Sequence, residues 1–271
     1  MPRGLLLFAL FATGCLDLTP PQLAPEAVDA NLRWFWVNGD SADDATLIDA
    51  AGKLAIAGKA ETRTTPLKGG LRQRLEPADV APFGLADTDP STARGLLVVN
   101  LFDCTLDKLE GILIAQDQSS QYTDVYKSYV RSYTTDADAF RGKGTDVIGW
   151  TVEVKAALPV EDIYTSTIKG GVRRVQAPAD GPTKGSFLIA RTYLTAPAAF
   201  ATMSGSWFRQ DYQLEVYWEQ SPGRIFHAYA MWRDIKAGGF NLSIEDDGFF
   251  NIMLDNLVKW DTQTAALCSK P

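Results

Sequence analysis

Five segments with the pattern of β-strands follow one another in the second half of the chain, and they limit the fold more than any other feature. They cover residues 148–154, 164–175, 186–195, 212–218 and 225–235. In the first, Ile, Trp and Val alternate with Gly, Thr and Glu, so one face is apolar and the other polar. Gly170 and Gly171 predict a bulge or bend in the second. Strands so close in sequence tend to pair, which predicts an antiparallel meander.

A long amphipathic helix follows these strands. Ser243, with Asp246 three residues later, is close to a capping box, which marks the start of a helix. The apolar residues then form one stripe at helical spacing. Its members are Phe250, Met253, Leu257, Trp260 and Leu267. A helix with one apolar stripe must lie against another apolar surface.

Further elements are predicted between residues 96 and 133. An apolar run at residues 96–102 has the length of a strand, and residues 103–105 begin a helix that continues to Leu113. Tyrosines then recur at spacings of four, three and four residues, which predicts a helix within residues 119–133. These tyrosines are Tyr122, Tyr126, Tyr129 and Tyr133.

Residues 27–94 predict a small helical N-terminal region that packs on the strands. The capping residues and acids at positions 40–44 begin a helix that ends near Gly58. An aromatic cluster of Trp34, Phe35 and Trp36 precedes it. We interpret this region as structural.

The first fourteen residues have the form of a bacterial export signal. Arg3 is followed by a short apolar run, and Thr13 and Gly14 are small residues before Cys15. This end resembles a lipobox, in which the cysteine receives the lipid, although in an ordinary signal peptide Cys15 would merely lie near the cut. Residues 15–26 contain three prolines and predict an extended tether.

Residue 16, directly after the cysteine, is leucine. An aspartate at this position would resemble a signal that retains lipoproteins in the inner membrane. We therefore expect the lipid anchor to lie in the outer membrane.

The composition excludes several functional classes. The formal net charge is −7 and the Lys and Arg residues are scattered, which argues against nucleic acid as a partner. One histidine and three cysteines cannot build a multi-histidine metal site or a zinc-ribbon cluster. We therefore predict no metal site and no cofactor.

No catalytic constellation is found in the sequence. The one histidine, His227, lies within a strand, and no G-x-S-x-G motif supplies a nucleophile. Glu215 and Glu219 share a strand face, but their separation of roughly 13 Å exceeds the ~9.5 Å limit of paired glycosidase carboxylates. We interpret the glutamates as a solvated face and His227 as a core or surface residue. The sequence predicts a protein that is not an enzyme.

From Gly95 to Cys268 the order of elements resembles that of the helix-grip fold of the SRPBCC superfamily, which includes START lipid-transfer domains. The segment from Leu96 to Tyr133 is similar to the family's first strand and helix pair. The resemblance implies an α+β fold in which a curved antiparallel sheet grips the long C-terminal helix, with residues 95–271 as the helix-grip domain. It also implies an apolar cavity between helix and sheet, which often holds a lipid or other hydrophobic ligand.

Two functions are compatible with these features. The first is a lipid-anchored module that binds a hydrophobic small molecule or lipid under the C-terminal helix. The residues that would line its cavity are Trp150, Val152, Leu214, Val216, Met253 and Leu257. The second is an envelope structural or interaction protein with a filled core, which recognises a partner through Trp34, Phe35 and Trp36.

The resemblance also bears on the cysteines. If Cys15 carries the lipid, Cys104 and Cys268 remain as an even pair in an oxidising compartment. In the helix-grip arrangement the early helices cradle the end of the last helix, which brings the two residues together. We therefore expect a disulfide between Cys104 and Cys268.

Overall fold

The computed structural model describes residues 27–60, 62–85, 88–157, 163–178, 180, 185–200, 205–237 and 242–270. The predicted signal peptide, the lipidation residue Cys15 and the tether up to residue 26 lie outside the described residues. They remain predictions.

Six α-helices and eleven strands make up the described part of the chain. The helices are α1 (Val28–Asn38), α2 (Asp44–Ala57), α3 (Pro77–Val80), α4 (Leu106–Leu113), α5 (Ala137–Arg141) and α6 (Asp247–Cys268). The strands are β1 (Leu67–Leu71), β2 (Arg94–Asp103), β3 (Tyr126–Tyr129), β4 (Ser132–Tyr133), β5 (Val147–Ala157), β6 (Ile163–Val175), β7 (Phe187–Leu194), β8 (Ala199–Phe200), β9 (Trp207–Ser221), β10 (Arg224–Ala237) and β11 (Leu242–Ser243).

The strands form one open antiparallel sheet. Its order is β1-β2-β10-β9-β7-β6-β5-β3, and the short strands β4, β8 and β11 pair with β5, β6 and β10. The five strands predicted in the second half of the chain are β5, β6, β7, β9 and β10. They are consecutive neighbours, so the predicted meander is confirmed.

Helices cover both faces of this sheet, which gives the α+β architecture that the sequence predicts. The helices α1 and α2 share a core with one face, and α6 packs on β2 from the other. Strand β2 shows the consequence, because Leu96, Leu97, Val98 and Val99 are all buried although successive side chains point to opposite faces.

The N-terminal helices are fixed to the sheet by aromatic contacts and by an ion pair between Arg173 of β6 and Asp44 of α2. Trp36 of α1 is fully buried, and its ring lies 5.7 Å from that of Tyr212 and 6.1 Å from that of Trp232. The Asp43 side chain accepts a hydrogen bond from the backbone N–H of Thr46, which caps α2 close to the predicted start. The region also contains strand β1, which was not predicted within the small helical N-terminal region.

Helix α6 begins where the sequence predicts it. The side chain of Asp246 accepts a hydrogen bond from the backbone N–H of Ser243 at 2.6 Å, and the helix continues to Cys268. Phe250 and Met253 join a core cluster with β2 and β10, whereas the C-terminal part of the helix packs against α4.

The predicted tyrosine-bearing helix within residues 119–133 is wrong. Tyr126 and Tyr129 lie on β3, which pairs with β5, and Tyr133 lies on β4, which pairs with the same strand. The spacing of the tyrosines fits a helix, but the edge of β5 offers unpaired backbone groups, and pairing with them overrides the local pattern.

The glycine pair in β6 also differs from its prediction. The pairing of β5 with β6 runs through Gly170 and Gly171 without a register shift, so there is no bulge at this point. The glycines instead allow close approach, because a Cβ on Gly170 would lie 2.6 Å from the Thr192 methyl and 2.9 Å from Trp150 Nε1.

Cys104 and Cys268 lie at disulfide distance, as predicted. Their Cα atoms are 5.3 Å apart, and 164 residues separate them in sequence. Cys104 follows β2, and Cys268 is the last residue of α6. The pair therefore joins the end of the C-terminal helix to the start of α4.

Candidate functional site

One row of paired residues crosses the middle of the sheet on the face that α6 covers. It consists of Trp150, Gly170, Thr192 and Gln213, which we call the central row. Trp150 is buried, but the other three are partly accessible. Two separate apolar clusters flank this row, one reaching β5 and α4 and the other lying between α6 and β10. The central row therefore lies at the boundary between two apolar cores.

A buried charged cluster lies beside the central row. His227 of β10 is 1% exposed, and its Nδ1 donates a hydrogen bond to Oδ1 of Asp261 on α6 at 2.7 Å. The amide of Asn100 on β2 donates to the other carboxylate oxygen at 3.0 Å. On the opposite side, His227 Nε2 lies 3.3 Å from Oε2 of Glu215. The imidazole therefore lies between two carboxylates.

The environment of His227 raises its pKa. Burial alone would lower the pKa, but the charge of Asp261 and its hydrogen bond, together with those of Glu215, raise it from 6.5 to about 9. The ring is also stacked on Tyr217, with 4.1 Å between centroids. At neutral pH the cluster therefore holds an imidazolium ion.

Hydroxyl and amide groups extend this cluster toward the central row. The hydroxyl of Tyr217 donates to Glu215, and that of Tyr229 donates to Oε1 of Gln213 at 2.6 Å. Burial holds the pKa of both tyrosines well above the usual value of 10. Both hydroxyls thus stay protonated and act as donors.

Aromatic rings from α6, from the segment before β3 and from the first residue of β3 lie over the same face. Tyr122 stacks on Trp260 with 4.0 Å between centroids, and its hydroxyl is 2.9 Å from that of Thr264. Tyr126 contacts both rings edge-on. Burial raises the pKa of Tyr122 to about 12. These rings provide flat apolar surfaces with few polar atoms.

Three buried polar side-chain atoms on this side of the sheet have no hydrogen-bond partner among the described residues. They are Arg131 Nε, Trp150 Nε1 and Ser166 Oγ. Each belongs to a residue that is at most 6% exposed. Buried polar atoms are normally paired with protein, water or ligand, so a group of them on one face marks a site that a further molecule can complete.

The residues predicted to line a cavity do not lie together. Trp150 is in the central row and Val152 is close to it, whereas Met253 and Leu257 pack in the cluster between α6 and β10. Leu214 and Val216 are wrongly placed by the prediction, because they face α1 and α2 on the other side of the sheet. The alternating pattern of β9 separates two faces, but both faces are covered by helices.

Two surface depressions, of about 450 and about 270 Å³, contain none of the six predicted lining residues.

The two glutamates are not a solvated face. The side chain of Glu215 is 17% exposed and faces His227. Glu219 accepts hydrogen bonds from the backbone N–H groups of Leu106 at 2.9 Å and Gly223 at 2.8 Å, which caps α4 and closes a turn. The interpretation of His227 as a core residue is consistent with its burial.

The structure also shows where the aromatic residues lie that the alternative function, recognition of a protein partner, requires. Trp34, Phe35 and Trp36 are at most 6% exposed and belong to the core between α1 and the sheet. They are unable to present the recognition surface that the interaction hypothesis assigned to them.

Arg131, Asp261 and the tyrosines were not predicted from the sequence to form one site. One signal was available for Asp261, since it stands among apolar residues on the buried stripe of α6, where a charge needs a partner. Arg131 gives no such signal, because its burial depends on how β3 and β4 fold over β5.

In the described part of the chain, every helix is too short or too polar to cross a membrane. Across those same ranges, no group of three or more His, Cys, Asp or Glu side chains is arranged to hold a metal ion. No family model and no curated protein matches the sequence.

Proposed function

We propose that this chain is a lipid-anchored envelope protein that binds a hydrophobic small molecule or lipid between the sheet and α6. The lipid on Cys15 would hold it at the membrane, so that the folded body needs no contact of its own with the bilayer. The ligand would lie along the central row, with the rings of Tyr122, Tyr126 and Trp260 above it.

The partial accessibility of the central row is the observation that carries this proposal. Gly170, Thr192 and Gln213 occupy central strands on a helix-covered face, where full burial is the usual result. The side chains of the row are also small on this face, since glycine and threonine stand next to each other across β6 and β7. The Thr192 methyl and Trp150 Nε1 fill the space directly above Gly170, so an apolar guest would lie over the Thr192 and Gln213 side of the row.

The helix-grip resemblance supports the same function. The open antiparallel sheet, the helix α4 directly after β2 and the long final helix on the sheet face agree with the expected order, whereas β3 and β4 stand in place of the second expected helix. In that family the ligand lies between the sheet and the last helix. The aromatic and polar groups described above would line the corresponding place in this chain.

A neutral fluorescent probe tests this function directly. N-phenyl-1-naphthylamine is apolar and uncharged, and its emission rises in an apolar site. We expect delipidated wild-type protein to bind it with saturable stoichiometry. Absence of saturable binding would contradict the proposed function.

Two threonines allow a matched pair of variants. Thr192→Phe places a ring in the central row, and we expect it to weaken probe binding by about tenfold, equivalent to about 1.4 kcal/mol. Thr151→Phe makes the same change on the opposite face of β5, and its affinity should remain that of the wild type. Thr192→Leu is a smaller replacement for use if the phenylalanine prevents folding. Equal affinities in all variants would place the ligand elsewhere.

A further inference from the structure

Arg131 is a buried cation without a counter-ion. The residue is 6% exposed, and among the residues that the structure describes no carboxylate lies within ion-pair distance of it. A buried charge is costly unless an opposite charge and hydrogen bonds compensate it. The position of Arg131 therefore calls for an anion.

The other two buried arginines in the described ranges each have a carboxylate that compensates their charge. Arg174 donates hydrogen bonds to both carboxylate oxygens of Glu110, at 2.9 and 2.7 Å, and it also pairs with Asp146. Arg191 pairs with Asp40. The fold thus supplies a carboxylate to each of these arginines, and Arg131 differs from both.

The surroundings of Arg131 fix its guanidinium in place. Nη1 donates to the backbone carbonyls of Leu113 and Ala115, and the group lies 3.9 Å from the ring centroid of Trp150. Its Nε is buried and unpaired in the described part of the chain, as is Nε1 of Trp150. Both free atoms are N–H donors, so the partner they lack is an acceptor.

This pair of donors lies at one end of the central row. Trp150 is the first residue of that row, and its Nε1 lies above Gly170, at 2.9 Å from where a Cβ on that glycine would be. A molecule bound along the row would meet both N–H groups at this end. The rest of the row would contact its apolar part.

We propose that Arg131 and Trp150 bind the carboxylate of an amphiphilic ligand, whose apolar part lies along the central row. The inference rests on the proposed function and names the chemical class of its ligand. One guanidinium balances one negative charge, which suits a carboxylate better than a phosphate dianion. A planar carboxylate can also accept from a guanidinium edge and a neighbouring indole N–H together.

Dodecanoate and methyl dodecanoate provide the test, because the two differ in the charge of the head group and share the chain. Their displacement of the naphthylamine probe is measured below the concentration at which micelles form. We expect wild-type protein to prefer dodecanoate by at least about tenfold. Equal affinities would overturn the carboxylate assignment and leave the proposed function standing. Failure of the probe and both compounds to bind would overturn the function itself.

Variants assign the preference to the two residues. Arg131→Gln should abolish the preference for the carboxylate and keep the affinity for the ester within about twofold. Arg209→Gln is the matched control, because Arg209 lies 4.0 Å over the ring of Trp207 but is exposed. Trp150→Phe keeps a ring and removes the N–H, so it should reduce the preference even if Arg131→Gln does not fold. An undiminished preference in Arg131→Gln or in Trp150→Phe would refute the assignment.

Discussion

His227 on β10 donates a hydrogen bond from Nδ1 to Oδ1 of Asp261 on α6, at 2.7 Å and with both side chains 2% exposed. This contact joins the C-terminal helix to the centre of the sheet through charge. Truncation of one partner would leave the other buried and unpaired. A single substitution here therefore lowers the free energy of unfolding much more than one in an exposed ion pair does.

The first prediction concerns pH. Because the pKa of His227 rises from 6.5 to about 9 on folding, protonation stabilises the folded state by roughly 3 kcal/mol. This contribution is complete below about pH 6.5 and is lost as the pH rises through 9. The chain has one histidine, so its imidazole NMR signal can be followed without assignment.

We expect the titration midpoint of that signal in the folded protein to lie well above 6.5. The double variant His227→Gln/Asp261→Asn replaces the ion pair with amides, and its free energy of unfolding should change less between pH 6.5 and 9.5 than that of the wild type. A midpoint below 6.5 would contradict the charged cluster.

The second prediction concerns the cysteine pair. A bond between Cys104 and Cys268 closes a loop of 164 residues, for which the chain-entropy model gives at most about 5 kcal/mol of stabilisation. Reduction should lower the free energy of unfolding of wild-type protein. The double variant Cys104→Ser/Cys268→Ser should be insensitive to reductant, which makes it the control. Two reactive thiols from these positions in unfolded, unreduced protein would show that the bond is absent.

The third prediction concerns the N-terminal layer. Trp36 is fully buried against the sheet, and its Nε1 donates to the carbonyl of Asp79 at 3.1 Å. Trp36→Ala should therefore destabilise the protein by roughly 3–5 kcal/mol in denaturant unfolding. Trp207→Ala removes the same group from a half-buried position and should cost clearly less. Equal losses would mean that α1 adds little to the core.

The fourth prediction concerns the anchor. Cys15→Ser removes the thiol that would receive the lipid, so we expect the variant to move from the membrane fraction to the soluble envelope fraction. The matched control is Cys104→Ser, which should stay with membranes. A Cys15→Ser protein that fractionates with membranes as wild type does would rule out lipidation at this residue.

Much of the sheet could be predicted from the sequence because its strands carry a local pattern. Alternation located β5, β7, β9 and β10, a threonine-rich run located β6, and capping residues located α2, α4 and α6. Strand β1 has no such pattern, since Gly69 and Gly70 occupy its centre. It is a strand because it pairs with the edge of β2, and that partner is a tertiary feature.

The candidate site could not be assembled from the sequence for a related reason. Its members come from β2, β3, β5, β6, β7, β9, β10, α6 and the segments before and after β3, and no spacing rule connects them. Alternation in β9 showed that Leu214 and Glu215 face opposite ways, but the choice of face failed because both sides of the sheet are covered. A polar residue on such a strand faces a polar partner as readily as it faces water.

The burial of β2 on both sides affects how this strand finds its place during folding. A strand with one polar face is aligned by that face, since a shift of one residue exposes its apolar side chains. In β2 a shift would exchange Leu96 and Val98 for Leu97 and Val99, which are equally apolar.

Two other residues remove this ambiguity. A shift would turn the amide of Asn100 away from Asp261, and it would replace Gly95 with a residue whose Cβ lies 2.5 Å from that of Leu71. Correct alignment of the strand therefore depends on one amide and one missing side chain.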